Sequence, residues 1–137
     1  MIRRLLPALV AALALLGLTA MPASAQINSA RPATTCLGGA ISLTYHYSSS
    51  AVDYGPYTTT SRCKDVNMRI TTDNGKYLDA CVVFVDHTSL CNNDDAYQTM
   101  GPPWLTVATD VKDGTHFKLR VHAYDIDSQL VPFQLAF

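Results

Sequence analysis

Apolar and polar residues alternate along four stretches of the chain, residues 41–48, 66–72, 115–124 and 130–137. A period of two places successive side chains on opposite faces of an extended backbone, so each stretch is predicted as a half-buried β-strand. In the first stretch, the residues on the face expected to point inward are Ile41, Leu43, Tyr45 and Tyr47.

Two further strands are predicted at residues 77–85 and 104–109. The first of them ends in four consecutive apolar residues, Val-Val-Phe-Val, which is typical of a central strand covered on both faces. Residues 48–61 are predicted as a long loop or a weak edge strand, and residues 86–103 as a loop. Six or seven strands without helical periodicity beyond the N-terminus predict an all-β fold, a single antiparallel β-sandwich.

Two turns are specific enough to predict which strands pair. The Asn-Gly pair within residues 73–76 predicts a hairpin between the strands on either side of it, because Asn and Gly tolerate positive φ angles. A three-residue loop at 112–114, with Gly114 in the left-handed conformation, predicts a second hairpin in which Val107 faces Leu119.

The first 25 residues carry the pattern of a cleavable export signal. Arg3 and Arg4 precede an apolar run over residues 5–20, and Ala-Ser-Ala at 23–25 supplies the small residues that a signal peptidase needs. The alternative is a membrane anchor, for which the apolar run is short and lacks a basic stop-transfer segment. The chain is therefore predicted to be secreted. Its predicted parts are residues 1–25 as the signal peptide, 26–35 as a flexible lead-in and 36–137 as a single β-domain.

Charge narrows the class of partner. Without Arg3 and Arg4, eight basic residues remain against eleven acidic ones, a formal charge of −3. Nucleic-acid binding needs a basic face, which this acidic chain with scattered basic residues does not favour. We therefore expect a monomer that contacts no nucleic acid and, once its signal is removed, no membrane.

The four cysteines all follow the predicted cleavage point, and an even number in a small exported chain predicts two disulfides. If the Asn-Gly pair is the centre of a hairpin, Cys63 lies about five residues beyond the position opposite Cys81, too far for a disulfide. Cys36–Cys63 and Cys81–Cys91 are therefore the preferred pairs, each contributing roughly 3–4 kcal/mol.

Residue types that could carry catalysis or bind a metal are dispersed. His116 and His122 share a strand face but are separated by roughly 20 Å at the rise of a strand, so they cannot hold one metal ion. The spacing of His46 and His87 does not argue for a site. Residues 125–129 resemble part of a calcium loop but lack its Gly and terminal Glu, and residues 92–95 form another oxygen-rich patch. Turn formation explains both segments as well. With no nucleophile motif either, the chain is predicted to be non-enzymatic and to need no cofactor.

Tyrosines give the clearest indication of binding. Tyr54 and Tyr57 lie in a Ser/Thr-rich segment, and exposed tyrosines can stack on sugars or fill a pocket of a partner. Met100, within residues 91–103, is a third candidate, in the one segment that could form the exposed, disulfide-anchored loop of a protease inhibitor. The partner is accordingly expected to be an extracellular protein or glycan.

Residues 61–67 (Ser-Arg-Cys-Lys-Asp-Val-Asn) and 104–121, especially Val-Ala-Thr-Asp-Val-Lys-Asp-Gly-Thr at 107–115, resemble small secreted proteins of actinobacteria that have no assigned activity. The resemblance covers most of the predicted domain, implies a bacterial, exported protein with a compact fold, and supplies no catalytic residues. The sequence around residues 91–103 does not match secreted subtilisin inhibitors. Immunoglobulin domains are not matched either, because Trp104 follows all four cysteines.

Three functions stay open: a binding module, which is favoured, a protease inhibitor, and a small hydrolase with an unrecognised site.

Overall fold

The computed structural model describes residues 35–123 and 130–137. The predicted signal peptide, the lead-in up to residue 34 and the oxygen-rich segment 125–129 lie outside the described residues. Within the described ranges, no helix is long and apolar enough to cross a membrane.

Eight strands in these ranges form two antiparallel sheets of four strands each, which confirms the predicted all-β fold. In chain order the strands are β1 (Ile41–His46), β2 (Val52–Thr58), β3 (Val66–Ile70), β4 (Leu78–Val83), β5 (Gln98–Met100), β6 (Leu105–Ala108), β7 (His116–His122) and β8 (Leu130–Ala136). Sheet A has the order β1-β8-β3-β6, and sheet B the order β2-β7-β4-β5. The two segments predicted mainly as loops contribute β2 and β5, so the strand count exceeds six or seven.

Two short helical segments accompany the strands. A 3-10 turn spans Leu37–Gly39, and a four-residue segment, α1, spans Asn92–Asp95. Positive φ angles occur at Asn93, Asp94 and Asp95, so α1 is a tight reversal of the chain and not a regular helix.

The core lies between the two sheets, where their inward faces meet. The alternation predicted for the strands is confirmed by complete burial of Phe117, Leu119 and Val121 on β7, and of Val131, Phe133 and Leu135 on β8. Burial of each such side chain is worth roughly 1.5–3 kcal/mol. Tyr45 is fully buried as predicted, whereas Tyr47 lies beyond the end of β1 and is 38% exposed, so its predicted core position is wrong.

The hairpin predicted at residues 73–76 is wrong, because β3 belongs to sheet A and β4 to sheet B. The turn itself is present: Gly75 has a φ of 73°, and the Lys76 N–H donates to Asn74 Oδ1 at 3.2 Å. An Asn-Gly pair reverses the backbone locally but does not decide whether the flanking strands pair in one sheet or pack face to face. Here the chain crosses from one sheet to the other.

The hairpin predicted around residues 112–114 is wrong for the same reason, since β6 lies in sheet A and β7 in sheet B. Val107 and Leu119 are therefore both core residues, but they lie in different sheets and are not paired neighbours. Gly114 has a φ of 76°, which confirms its predicted left-handed conformation.

Both disulfides have the preferred pairing, Cys36–Cys63 and Cys81–Cys91. The reasoning from a hairpin was nevertheless incorrect. Cys81 lies on β4 of sheet B with its side chain on the outer face, whereas Cys63 leads into β3 of sheet A. Cys81, Val83 and Cys91 form a second, smaller apolar cluster, which explains why β4, an interior strand as predicted, is apolar on both faces.

Candidate functional site

The outer faces of the two sheets differ in chemistry. The outward positions of sheet B are mostly charged or titratable: Asp53, Asp79, His116, Lys118, Arg120 and His122. The outward positions of sheet A, which we call the sheet A face, carry mainly hydroxyl and amide groups: Ser42, Thr44, Asn67, Thr106 and Gln134. The same face also carries Arg69, His46, Leu130 and Pro132. The two faces therefore suit different ligands.

On the sheet B side, Arg120 and Asp53 neutralise each other's charge. Arg120 Nε and Nη2 donate to the two carboxylate oxygens of Asp53 at 2.7 and 3.1 Å, and Arg120 Nη1 donates to the Ser89 carbonyl at 3.1 Å. The hydrogen bond from Arg120 holds the pKa of Asp53 below its usual value. Asp79 accepts a hydrogen bond of 2.6 Å from the Thr99 hydroxyl.

A histidine and a carboxylate also meet near one end of β7. His116 Nδ1 lies 2.8 Å from Asp86 Oδ2, and the two side chains are 52% and 54% exposed. A hydrolase would use such a carboxylate to orient a histidine base beside a nucleophile. At this exposure the contact is a surface ion pair whenever the imidazole is protonated, worth roughly 0.2–1 kcal/mol.

The oxygen-rich segment at α1 is used for structure. Asn92 Oδ1 accepts from the Val82 N–H at 2.8 Å, and Asn92 Nδ2 donates to the Val107 carbonyl at 2.7 Å. Asp95 Oδ1 accepts from the Cys91 N–H at 2.8 Å. In the part of the chain that the structure describes, no three His, Cys, Asp or Glu side chains are grouped as a metal site would require.

A row of hydrogen-bonded side chains crosses the sheet A face. Arg69 Nε donates to Gln134 Oε1 at 2.9 Å, and Gln134 Nε2 donates to the Ser42 hydroxyl at 3.4 Å. The Arg69 guanidinium carbon lies 4.9 Å from the ring centroid of Trp104, which precedes β6. We call Ser42, Gln134, Arg69 and Trp104 the polar row. It joins side chains from β1, β8 and β3 to an aromatic ring at the β6 edge.

A second contact runs parallel to the polar row. The Thr106 hydroxyl donates to Asn67 Oδ1 at 2.9 Å, between β6 and β3. Asn67 Nδ2 in turn donates to the Asp65 carbonyl at 3.2 Å. The four strands of sheet A contain no acidic residue, and Arg69 is their one lysine or arginine. The sheet A face is thus a neutral polar surface with a single fixed positive charge.

Tyr54 and Tyr57 are half-buried and pack against the core. The Tyr54 ring meets Phe133 edge to face at 5.2 Å, and its hydroxyl donates to the Thr44 carbonyl at 3.1 Å. The Tyr57 ring lies 5.7 Å from Phe117. The prediction that both rings stand free on the surface is corrected by these contacts. Burial, with smaller contributions from neighbouring tyrosines, raises the pKa of Tyr54 to about 12.

The exposed loop predicted around Met100 is wrong. Met100 is in β5, opposite Leu78 of β4, and is 1% exposed. The turn-forming residues that predict a loop flank this three-residue strand on both sides, and three residues are too few for a clear alternation. Met100 presents no surface to a partner, and the inhibitor hypothesis loses its exposed anchor there.

Sequence reasoning did not single out Arg69, Gln134 or the half-buried Trp104 as candidate site residues. The alternation within residues 66–72 and 130–137 does place Arg69 and Gln134 on outward faces. The missing information is that β3 and β8 are neighbours, since 65 positions separate the two residues in sequence. A polar outward residue becomes a candidate only when its neighbour across the sheet is known.

No family model matches the chain, and no curated protein or solved structure matches it. The resemblance to small secreted actinobacterial proteins stays a prediction.

Proposed function

We propose that the protein is a secreted, non-catalytic module that binds a glycan on the sheet A face. The observation that carries the proposal is the polar row, in which a hydroxyl, an amide and a guanidinium lead to the ring of Trp104. Sugars present hydroxyl groups at their edges and C–H groups on their faces. Amide and hydroxyl side chains hydrogen-bond to the edges, and an aromatic ring stacks on the faces.

Rigid placement of these side chains also supports the proposal. Strands β1, β8 and β3 are hydrogen-bonded neighbours, and each member of the polar row contacts the next. Side chains that are already oriented lose less conformational entropy when a ligand binds. The two disulfides and the export signal predicted from the sequence fit a protein that meets its ligand outside the cell.

Retention of the secreted protein on immobilised polysaccharides, followed by calorimetric titration with oligosaccharides of those that retain it, tests the proposal. We expect Gln134→Ala and Trp104→Ala to weaken binding about tenfold or more, because each removes a direct contact. Lys118→Ala, on the outer face of sheet B, is the matched surface control and should bind as the wild type does. The proposal is wrong if no glycan retains the protein, or if the polar-row variants bind as the control does.

A further inference from the structure

Three arginines lie in the described ranges, and their guanidinium groups have different partners. Arg120 forms a two-pronged ion pair with Asp53. Arg62 Nη2 donates to the Phe137 carbonyl oxygen at 3.3 Å. Arg69 donates through Nε to the neutral amide oxygen of Gln134 and faces Trp104. Among ion pairs between described residues, none involves Arg69, so its charge is not matched by a carboxylate.

The contacts of Arg69 fix the guanidinium without using its terminal nitrogen atoms. Gln134 Oε1 accepts from Nε, and the guanidinium carbon lies over the Trp104 ring, 4.9 Å from its centroid. Between described residues, the hydrogen bonds of Arg69 do not include one from Nη1 or Nη2. These two atoms carry donors that lie side by side and match the two oxygens of a carboxylate.

The surroundings of Arg69 also favour an anion. Its neighbours on the sheet A face are amide and hydroxyl groups, and no acidic residue occurs in the strands of this sheet. The negative charges of sheet B lie on the opposite outer face of the sandwich, where Arg120 already pairs with Asp53. A ligand carboxylate that approaches the sheet A face therefore meets one unmatched positive charge. The strands of sheet A supply no carboxylate that would compete with it for Arg69.

We propose that Arg69 is the anion-recognition residue of the sheet A face, and that the ligand is an acidic glycan, one whose sugar units carry carboxylates. The carboxylate accepts hydrogen bonds from the Arg69 Nη atoms, while Trp104 contacts a sugar ring beside it. Gln134 acts as a positioning residue, since it holds the guanidinium through Nε. This inference rests on the proposed glycan-binding function and names its ligand class.

Titration with two matched ligands tests the inference: an oligosaccharide of uronic acid units, and the same oligosaccharide after reduction of its carboxyl groups to alcohols. We expect the acidic form to bind about tenfold to a hundredfold more tightly, as loss of a charge-assisted hydrogen-bonded pair implies. Arg69→Gln should abolish this preference. Arg69→Lys, which keeps the charge without the paired donors, should retain only part of it.

Arg62→Gln is the matched control, because it removes an equal charge from a residue outside the sheet A face and should leave the preference unchanged. Thermal unfolding shows which variants fold. If Arg69→Gln does not fold, the comparison of Arg69→Lys with the wild type decides the outcome. Equal affinity for the acidic and reduced forms in the wild type would overturn the inference and leave the proposed function standing. Binding of neither form, nor of any other glycan, would overturn the proposed function itself. Polyglutamate binding as tight as that of the acidic oligosaccharide would show that the site recognises carboxylates without selecting a sugar, and it would also overturn the inference.

Discussion

The side-chain amide of Asn92 donates a hydrogen bond of 2.7 Å to the carbonyl oxygen of Val107. The same amide accepts a hydrogen bond of 2.8 Å from the Val82 backbone N–H. Val82 lies in β4 of sheet B and Val107 in β6 of sheet A, so one side chain connects the two sheets along one side of the sandwich.

Replacing Asn92 with Ala should lower the free energy of unfolding by about 2 kcal/mol or more. The substitution removes the Asn92 side-chain amide, which leaves the half-buried Val82 N–H without its acceptor. The Val107 carbonyl keeps only the longer hydrogen bond of 3.4 Å from Gln98 Nε2. Urea-induced unfolding measures the loss. Asn93→Gly is the control, because Asn93 is exposed and has a φ of 56°, which Gly adopts without strain. Similar losses in both variants would contradict the role assigned to Asn92.

Replacing Gly55 with Ala should destabilise the protein by about 2 kcal/mol or more. Gly55 has a φ of 113°, and a Cβ there would lie 3.0 Å from the Tyr57 nitrogen and 3.2 Å from the Phe117 carbonyl oxygen. Gly75 also has a positive φ, of 73°, but a Cβ there would have no atom within 4 Å. Gly75→Ala should therefore cost less, about 1 kcal/mol. Equal shifts of the two midpoints in thermal unfolding would show that crowding at Gly55 has no effect.

Stability should fall as the pH rises from about 10 to about 12. The pKa of Tyr54 is raised to about 12 in the folded protein, mainly by burial, whereas an unfolded tyrosine titrates near 10. Tyr54 therefore stays protonated to a higher pH in the folded protein than in the unfolded chain. The resulting contribution to stability is complete below about pH 10 and is lost as the pH rises through the pKa of the folded protein. Unfolding in urea at several alkaline pH values measures the slope. Tyr54→Phe should make it shallower, and an unchanged slope would refute the assignment.

In acid, the ion pair between Asp53 and Arg120 should make stability depend on pH. The Arg120 hydrogen bond lowers the pKa of Asp53. The ion pair therefore stabilises the fold at pH values above the ordinary pKa of a carboxylate, and this stabilisation is lost as the pH falls through the lowered pKa. Asp53→Asn should reduce stability by roughly 1 kcal/mol at neutral pH and reduce the loss below about pH 4. Asp73→Asn, in the exposed turn after β3, is the control. Parallel acid-unfolding curves for wild type and Asp53→Asn would contradict this role.

The sequence predicts the local features of the fold better than its sheet partners. Alternation identifies Phe117 and Leu119 as core residues, and turn chemistry predicts the left-handed Gly114, because both signals act over a few residues. Whether β6 and β7 pair or face each other depends on packing of the whole core, which no short pattern records. For the same reason the contact between Arg69 and Gln134 could not be predicted.

The hydrogen bond from Tyr54 to the Thr44 carbonyl has a consequence for self-association. Thr44 lies in β1, which is an edge strand of sheet A. An open carbonyl on an edge strand is an attachment point for the strand of another molecule and so for aggregation. The Tyr54 hydroxyl occupies that acceptor. A tyrosine that the sequence suggests as a contact for partners thus satisfies one main-chain acceptor of the edge strand β1.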